Sequence, residues 1–541
     1  MKFYQALARA LHDAGVSTMF GVMGDGNLFM VDSWVRDGGG TYIRAANEGG
    51  AVLMAQGFAS ASGRLGAATV THGAVSNAIT ALANCARGRL PVLVVAGDTP
   101  MADKHATQNL PHRELVLPTG AGFEQVGSAE SVADNVSEAV RRALTERRPI
   151  LLNVPSEFMW LDVAYRRAPV TIPSSGGVSP SPEALDQAVG LISSARRPLI
   201  LAGRGSVESP GARAELVALA RRIGAPLATT LKAKDLFRGE RHNLGVFGTL
   251  ASSEALDVIG KADCLIVFGS SLNPRTTDRG ALVRGKRIVQ IDTDVAQLGA
   301  TMAPDVAVVG DVAAAARVIA EWLDSAGVPA TGFASDDLAA RLANAPQSAP
   351  LADLRPKTVD LRMALQALER AVPAERSLVV DGGRFFFESV RELSVENPAS
   401  YVHALDIGSI GVGVALAIGT CTARPEQPTL LIVGDGSFML NGLQEFNTAV
   451  RHGCDLIVAM MNDGAYGAEH IQFTNRGMSP EMSLFDWPDF ARVAESLGGV
   501  GFTVTSDDDL AELGKRIEGH SVPLLIDVRL DPEHVAFDGA H

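Results

Sequence analysis

Two short turns in the last third of the chain carry residues suited to binding a phosphate and a cation. An apolar strand predicted over 430–433 runs into Gly434-Asp435-Gly436-Ser437, and a second over 456–461 ends at Asn462-Asp463-Gly464. Glycines let a backbone approach a phosphate, and the helix that follows supplies unpaired N–H groups and a positive dipole end. A carboxylate at such a place indicates that a cation lies between it and the phosphate.

The oxygen atoms of these two turns suit Mg²⁺. Parallel strands of one sheet would bring their carboxyl ends side by side, at the crevice where such folds bind ligands. The Asp435 carboxylate, the Asn462 side-chain amide and the Gly464 carbonyl would then meet. Mg²⁺ needs few protein oxygens when a diphosphate and water complete its octahedron. A glycine–aspartate turn alone is common, so the prediction depends on the two turns together, with Asp435 and Asn462 27 positions apart.

This pair of turns resembles the cofactor signature of the thiamine-diphosphate enzymes related to acetolactate synthase, pyruvate decarboxylase and benzoylformate decarboxylase. In that family GDG is followed, after a similar interval, by NN, and here Asp463 stands in place of the second Asn. The resemblance implies thiamine diphosphate anchored by Mg²⁺ on Asp435, Asn462 and Gly464. It also implies a cofactor-binding turn formed by Gly434, Gly436 and Ser437.

A second constellation lies in the first third, at Ala46-Asn47-Glu48-Gly49-Gly50-Ala51. It resembles the family segment whose glutamate hydrogen-bonds the aminopyrimidine ring and promotes the tautomer that takes the thiazolium C2 proton. The resemblance implies this catalytic role for Glu48, although Asn47 replaces the histidine that usually precedes it. A lone glutamate at a helix N-terminus is also favoured by the helix dipole, so the surrounding match decides the interpretation.

Five further candidates for catalysis follow from the same resemblance. Asp25 matches an active-site aspartate of pyruvate decarboxylases, and His72 matches an active-site histidine of benzoylformate decarboxylase. His105 and Gln108 lie where acetolactate synthases carry a glutamine and pyruvate decarboxylases a pair of histidines. Glu469 lies one residue after the match to an acidic residue of pyruvate decarboxylases. Such groups can move protons near neutral pH, but each lone histidine could instead make a structural hydrogen bond.

Three more segments resemble parts of the family that bind cofactors. Ile410 matches the bulky residue that holds thiamine diphosphate in a V shape, with its own N–H and the Gly408 carbonyl meeting the pyrimidine. Gly382 and Gly383 lie where a diphosphate-binding turn is expected. Some members bind FAD in the middle domain, and the stretch 273–276 partly matches such a site. The glycines of the middle third are as well explained by a βα turn, so the sequence does not favour FAD.

The elements that must position these residues form a recurring pattern. Fully apolar runs of strand length alternate with helical patterns throughout the 541 residues, which indicates parallel sheets covered on both faces. A Gly/Ser/Pro-rich stretch at 174–182 and an Ala/Ser/Pro/Asp-rich stretch at 325–356 divide the chain into thirds. We therefore predict three doubly wound α/β domains: a pyrimidine-binding domain (1–173), a middle domain (183–324) and a diphosphate-binding domain (357–541).

The composition of the chain disfavours some classes of binding partner. A formal net charge of −14 and an aromatic content of 5% disfavour nucleic acid and anionic membrane surfaces. The chain opens with an amphipathic helical pattern rather than a secretory signal, and no apolar run reaches the ~18 residues of a membrane span. Four cysteines without a CxxC pair are typical of reduced, buried thiols, and we expect a cytoplasmic protein.

The expected activity is the making or breaking of the carbon–carbon bond next to a carbonyl. The resemblance implies a 2-oxo acid decarboxylase or carboligase similar to acetolactate synthase, acting on a small-molecule 2-oxo acid or diketone. It also implies a homodimer or homotetramer with the active site at a subunit interface. A diketone hydrolase of the same family remains an alternative. A nucleotide-binding regulatory homologue without catalysis is another, against which Glu48, Asp435 and Asn462 together argue.

Overall fold

The computed structural model describes residues 1–103, 105–172, 178–344 and 353–534. Eighteen strands form three six-stranded sheets, and every strand pair with a recorded register is parallel. Helices lie between most pairs of successive strands along the chain. The predicted fold class, three doubly wound α/β sheets, is confirmed. No helix among these described ranges is both long and apolar enough to cross a membrane.

The first sheet takes the strand order β2-β1-β3-β4-β6-β5. Its central strands are buried along their length because both faces are covered by helices. Its strands are β1 Thr18–Gly21, β2 Thr41–Arg44, β3 Gly66–Thr71, β4 Val92–Asp98, β5 Gly122–Gln125 and β6 Ile150–Pro155. Its helices are α1 Phe3–Asp13, α2 Leu28–Arg36, α3 Glu48–Ser62, α4 Ile79–Gly88, α5 His112–Val116 and α6 Val132–Glu146.

The middle sheet has the order β12-β11-β10-β7-β8-β9, which is the strand order of dinucleotide-binding domains. Strand order does not assign a ligand. A Cβ on Gly203 would lie 2.2 Å from the Gly269 carbonyl oxygen, so close backbone packing accounts for this glycine. The strands are β7 Pro198–Ala202, β8 Leu227–Thr229, β9 Asn243–Val246, β10 Cys264–Phe268, β11 Arg287–Asp292 and β12 Val306–Val309. The helices are α7 Pro182–Ser193, α8 Arg204–Glu208, α9 Ala212–Ile223, α10 Ser253–Lys261, α11 Val312–Ser325 and α12 Asp336–Ala343.

The third sheet, ordered β14-β13-β15-β16-β18-β17, repeats the strand order of the first. Its strands are β13 Ser377–Val380, β14 Tyr401–His403, β15 Thr429–Gly434, β16 Leu456–Asn462, β17 Val500–Val504 and β18 Leu524–Arg529. Its helices are α13 Leu361–Ala371, α14 Phe386–Glu392, α15 Gly413–Ala423, α16 Asp435–Ser437, α17 Leu443–Arg451, α18 Gly467–Asn475, α19 Phe490–Ser496 and α20 Asp507–Glu518. A π-helical turn, Phe438–Gly442, joins α16 to α17.

The chain divides into two compact units. The first and third sheets lie together in one unit, and the middle sheet forms the core of the other. Helix α12 lies beyond the predicted end of the middle domain, and its buried Leu338 belongs to the middle core. Residues 174–177 of the predicted linker at 174–182, and residues 345–352 of the stretch at 325–356, lie outside the described residues. The domain limits stay a prediction.

Helices α3 and α15 join the first and third sheets within their unit. Residues 413–421 of α15 are all buried, which is typical of a helix surrounded by protein. A Cβ on Gly57 would lie 2.1 Å from the Leu416 carbonyl oxygen, and one on Gly419 would lie 1.9 Å from the Met54 carbonyl oxygen. The two backbones therefore touch, and only glycine fits at either crossing point.

We predict that Gly419→Ala destabilises this unit, because the added methyl meets backbone that cannot move aside. The loss should be at least about 1–3 kcal/mol, as for other overpacked cores. Urea unfolding of wild type and variant measures it. The control is Gly514→Ala in α20, where nothing lies within 4 Å of the new Cβ. The control should stabilise by about 0.5–1 kcal/mol. Equal stability of the two variants would contradict the crossing.

Candidate active site

Asp435 and Asn462 leave neighbouring strands at the same level of the third sheet. The β15–β16 register pairs Gly434 with Met461, so the residue that follows each of them stands at the carboxyl edge. Both side chains are only 2% exposed. Gly464, in the same turn as Asn462, has a φ of 65°, which places it in the left-handed region that glycine tolerates. Three oxygen donors of the type that Mg²⁺ prefers are thus held at one strand edge.

Neighbouring side chains orient two of these donors. Trp487 Nε1 donates to Asp435 Oδ2 at 2.8 Å, which fixes the orientation of the carboxylate. Asn462 Nδ2 donates to Asp527 Oδ1 at 2.8 Å, so the amide nitrogen is turned towards β18. The amide oxygen of Asn462 then faces the turn, where it accepts from the Gly464 N–H at 3.2 Å. Neither Trp487 nor Asp527 was predicted from the sequence.

The electrostatics of the edge favour a bound cation. Burial, reinforced by the nearby Asp463 carboxylate, raises the pKa of Asp435 to about 7. A positive ion beside Asp435 would stabilise its charged form. The described ranges contain no cluster of three His, Cys, Asp or Glu residues that could hold a metal alone. A set of one carboxylate, one amide and one carbonyl fits Mg²⁺ whose remaining ligands are phosphate and water.

A buried carboxylate, Asp381, ties together the turns that surround this edge. Its Oδ1 accepts from the Gly382 N–H at 2.7 Å, and its Oδ2 accepts from the Gly413 N–H at 2.9 Å and from the Ser437 hydroxyl. The Ser437 oxygen accepts in turn from the Gly411 N–H at 2.8 Å. The Ser437 hydroxyl therefore links the Asp381 carboxylate to the backbone at Gly411.

The residues predicted to hold the cofactor lie close together. A Cβ on Gly382 would lie 2.8 Å from Ile410 Cγ2, so Ile410 packs directly over the predicted diphosphate turn. Gly383 and Gly434 both lie against the Phe385 ring, at 2.2 Å and 3.1 Å from a Cβ built on each. Larger side chains at these three glycines would displace Ile410 or Phe385 and fill the space predicted for the diphosphate.

A Cβ on Gly436 would lie 2.7 Å from the Tyr466 ring, which closes one side of the metal turn. Gly408 has a φ of 80°, a conformation that leaves its carbonyl in an irregular turn rather than in a helix or strand. Both glycines stay predicted cofactor-binding residues.

Glu48 is the first residue of α3, and hydrogen bonds with residues of the same compact unit fix the turn that precedes it. Its Oε2 accepts from Asn77 Nδ2 at 3.0 Å, and Asn47 caps the helix by accepting from the Gly50 N–H at 2.7 Å. Glu445 of α17, which is fully buried, accepts from the N–H groups of Ala46 and Asn47, each at 3.2 Å. These hydrogen bonds to Glu445 were not predicted. They fix the backbone immediately before Glu48.

His72 occupies a strained turn at the end of β3. Its φ is 38°, which is uncommon for a residue with a side chain, and it is 6% exposed. Thr71 Oγ1 lies 2.9 Å from His72 Nδ1 and accepts from the Gly26 N–H at 3.0 Å, which places the Asp25 turn beside the histidine. Burial lowers the pKa of His72, and the charges of Asp25 and Asp98 oppose this shift.

His112, a further unpredicted residue, supports that turn from behind. Its Nε2 lies 2.9 Å from the His72 carbonyl oxygen, and its Nδ1 lies 2.7 Å from Asn153 Oδ1. Asn153 Nδ2 donates to Asp98 Oδ2 at 2.7 Å, which fixes the orientation of the amide. Because a carbonyl oxygen only accepts, His112 Nε2 donates to the strained turn and holds its main chain.

The remaining candidates are less enclosed. His105 and Gln108 are exposed in the loop before α5, although the Gln108 carbonyl lies 3.5 Å from a Cβ built on Gly73, beside His72. Glu469 is exposed in the first turn of α18. His470 is buried, with Nε2 2.9 Å from Glu533 Oε1, which is a structural contact.

The four unpredicted residues share one property. Trp487, Asp527, Glu445 and His112 each act on another residue of the site through a hydrogen bond that spans 40 to 399 positions of the chain. A polar residue within an apolar strand, as Asp527 is in β18, is the one local sign that could have marked any of them.

We predict that Asp435→Asn stabilises the metal-free protein, relative to wild type, more near pH 8 than near pH 5. The pKa of Asp435 is raised by folding, so as pH rises the unfolded chain loses this proton first. Wild type therefore loses up to about 1.4 kcal/mol per pH unit from this group until pH reaches about 7. Urea unfolding in chelator, at several pH values, measures the difference. A difference that does not change with pH would contradict the assignment.

Comparison with known proteins places this geometry in a family. The profile "Thiamine pyrophosphate enzyme, N-terminal TPP binding domain" matches residues 1–117, the central-domain profile matches 185–319, and the C-terminal TPP binding domain profile matches 381–528. Together they cover most of the chain, and the last contains Asp435 and Asn462.

Full-length relatives agree with this placement. The chain is 27% identical over 559 residues to the "Probable acetolactate synthase large subunit" of Methanocaldococcus jannaschii, covering 98% of this chain and 92% of the relative. It is 25% identical over 545 residues to the "Acetolactate synthase large subunit IlvB1" of Mycobacterium tuberculosis, covering 97% and 87%. It is 27% identical over 546 residues to the "Probable 2-ketoarginine decarboxylase AruI" of Pseudomonas aeruginosa, covering 97% and 93%. The resemblance predicted from the sequence is confirmed, and the chain belongs to the thiamine pyrophosphate enzymes, in the group of acetolactate synthases and related decarboxylases.

Proposed function

We propose that this protein is a thiamine-diphosphate- and Mg²⁺-dependent 2-oxo acid decarboxylase or carboligase. The observation that carries the proposal is the pair Asp435 and Asn462, buried at adjacent strand ends and oriented by Trp487 and Asp527. Relatives named acetolactate synthase and 2-ketoarginine decarboxylase both support a 2-oxo acid as the substrate class.

The residues present fit the cofactor. Thiamine diphosphate, when bound, supplies a nucleophilic carbon and an electron sink for the carbonyl carbon of the substrate. Asp435, Asn462 and Gly464 would hold Mg²⁺, while the backbone of Gly434, Gly436 and the predicted turn at Gly382–Gly383 would meet the diphosphate. Ile410 would pack against the cofactor body. FAD in the middle domain stays an option that the sequence does not favour.

Glu48 is the proposed source of proton transfer to the cofactor's pyrimidine ring. Its carboxylate is partly exposed, and one oxygen already accepts from Asn77, so the other oxygen can meet a ligand. We also propose a homodimer or homotetramer with the active site at a subunit interface, which the family resemblance implies. Location in the cytoplasm stays a prediction.

Two polar residues at the carboxyl edge of the first sheet, His72 and Asp25, bear on which product the reaction gives. His72, beside Asp25 and with a lowered pKa, is largely neutral at pH 7 and can accept a proton. Such a pair favours steps that move protons to or from the substrate, as in decarboxylation or in hydrolysis of a diketone. The hydrolase is therefore the second candidate. A regulatory protein without catalysis would have no need for the clamped Glu48 turn.

We predict that Glu48→Gln binds thiamine diphosphate but exchanges its C2 proton for deuterium about 10²–10⁴-fold more slowly, because the amide cannot relay a proton. NMR of quenched samples in D₂O measures the exchange. The matched control is Glu183→Gln, which changes another first-turn glutamate, in α7 of the middle domain. It should exchange at the wild-type rate. Wild-type exchange in Glu48→Gln would refute the assignment.

We also predict that His72→Asn lowers turnover of pyruvate by about 10²-fold, the scale of general acid–base catalysis, with cofactor affinity retained. Asparagine tolerates a positive φ, so this change removes the imidazole without straining the turn further. The product ratio, measured by NMR with an added acceptor aldehyde or diketone, should shift from protonated or hydrolysed product towards ligation. The pH–rate profile should lose a limb on the acid side of neutrality. An unchanged rate, ratio and profile would make His72 structural.

A further inference from the structure

Arg384 is a buried cation whose hydrogen bonds are incomplete. It follows the Gly382–Gly383 turn at the carboxyl end of β13, and its side chain is 2% exposed. Its Nε donates to Asp463 Oδ2 at 2.8 Å. Neither Nη1 nor Nη2 has an acceptor among the residues that the structure describes. A buried guanidinium with two unpaired nitrogen atoms is costly, so a ligand that accepts from these nitrogen atoms would be stabilising.

Asp463 fixes where this guanidinium lies. The other Asp463 oxygen, Oδ1, accepts from the Ala465 N–H at 3.0 Å, so the carboxylate is held on both sides. A Cβ on Gly467 would lie 2.6 Å from Arg384 Nε and 2.5 Å from Asp463 Oδ2. The ion pair therefore lies directly against the backbone of the turn that follows Asn462. It joins the ends of β13 and β16, the two strand ends that carry the predicted diphosphate turn and the metal turn.

The charges at this edge need more than one cation. Asp381 and Asp435 are buried there, and the Asp463 side chain is only 8% exposed. Mg²⁺ would balance Asp435, whereas Arg384 balances Asp463. A diphosphate brings further negative charge to the same edge. A guanidinium can meet phosphate oxygens with two parallel N–H groups, and Arg384 has two such groups unused.

We propose that Arg384, held by Asp463, is a second cationic anchor for the diphosphate of the cofactor, beside the Mg²⁺ turn. This inference rests on the proposed function and deepens it. It also gives a reason for Asp463 where the family carries asparagine, because an amide could not neutralise a buried arginine. In this chain the two residues act together: the Asp463 carboxylate orients the Arg384 guanidinium, and the guanidinium binds phosphate.

The competing explanation is that Arg384 serves only to pair with Asp463. The double variant Arg384→Gln/Asp463→Asn separates the two explanations, since it removes both charges and leaves no buried ion unpaired. Arg384→Lys keeps the charge but removes the planar fork. Thermal unfolding of each cofactor-free protein reports on the fold, and calorimetry with saturating Mg²⁺ reports on binding of thiamine diphosphate and of inorganic pyrophosphate.

An anchor requires that the double variant unfold at the wild-type temperature yet bind both ligands about 10- to 100-fold more weakly, as expected for losing hydrogen bonds to a charged group. Arg384→Lys should lose an intermediate part of the affinity. Wild-type affinity in the double variant would overturn the anchor while leaving the proposed function intact. Failure of the wild-type protein itself to bind thiamine diphosphate with Mg²⁺ would overturn both.

Discussion

The Asp381 carboxylate is the contact on which the third domain's site depends. It is fully buried, and it accepts hydrogen bonds from the turn after β13, from the first residue of α15 and from Ser437 beside the metal turn. Burial raises the pKa of Asp381, and the hydrogen bonds from these donors oppose that shift. Losing one donor would leave a buried acceptor unsatisfied, and the three turns would no longer be fixed relative to each other.

The same principle extends outward from Asp381 to the ligand. Buried carboxylates are costly unless a cation or several donors stabilise them, and this edge holds three of them. A different group stabilises each carboxylate. Backbone and hydroxyl donors stabilise Asp381, the Arg384 guanidinium stabilises Asp463, and a proposed Mg²⁺ would stabilise Asp435. An edge built in this way is most stable when a metal and its diphosphate are present, so cofactor binding and local stability are linked.

The first and third sheets share one strand order and are joined through α3 and α15, whose backbones touch at Gly57 and Gly419. This contact packs α3, which begins at Glu48, against α15 of the third domain. Glu445 completes the connection by holding the backbone of that turn. Residues assigned to cofactor activation and to cofactor anchoring thus belong to one packed unit.

The local sequence predicted the residues that are proposed to touch the cofactor. A glycine turn after an apolar strand, a carboxylate within it and an amide after the next strand are short-range patterns, and so are the α/β rhythm and the turn around Glu48. Those patterns predicted the fold class and the family. They could not reveal Trp487, Asp527, Glu445 or His112, because each acts across a distance in sequence that only packing closes. The tertiary structure also decided that Asp463, a departure from the family pattern, pairs with a buried arginine, since an ion pair between two strand ends depends on which strands are neighbours.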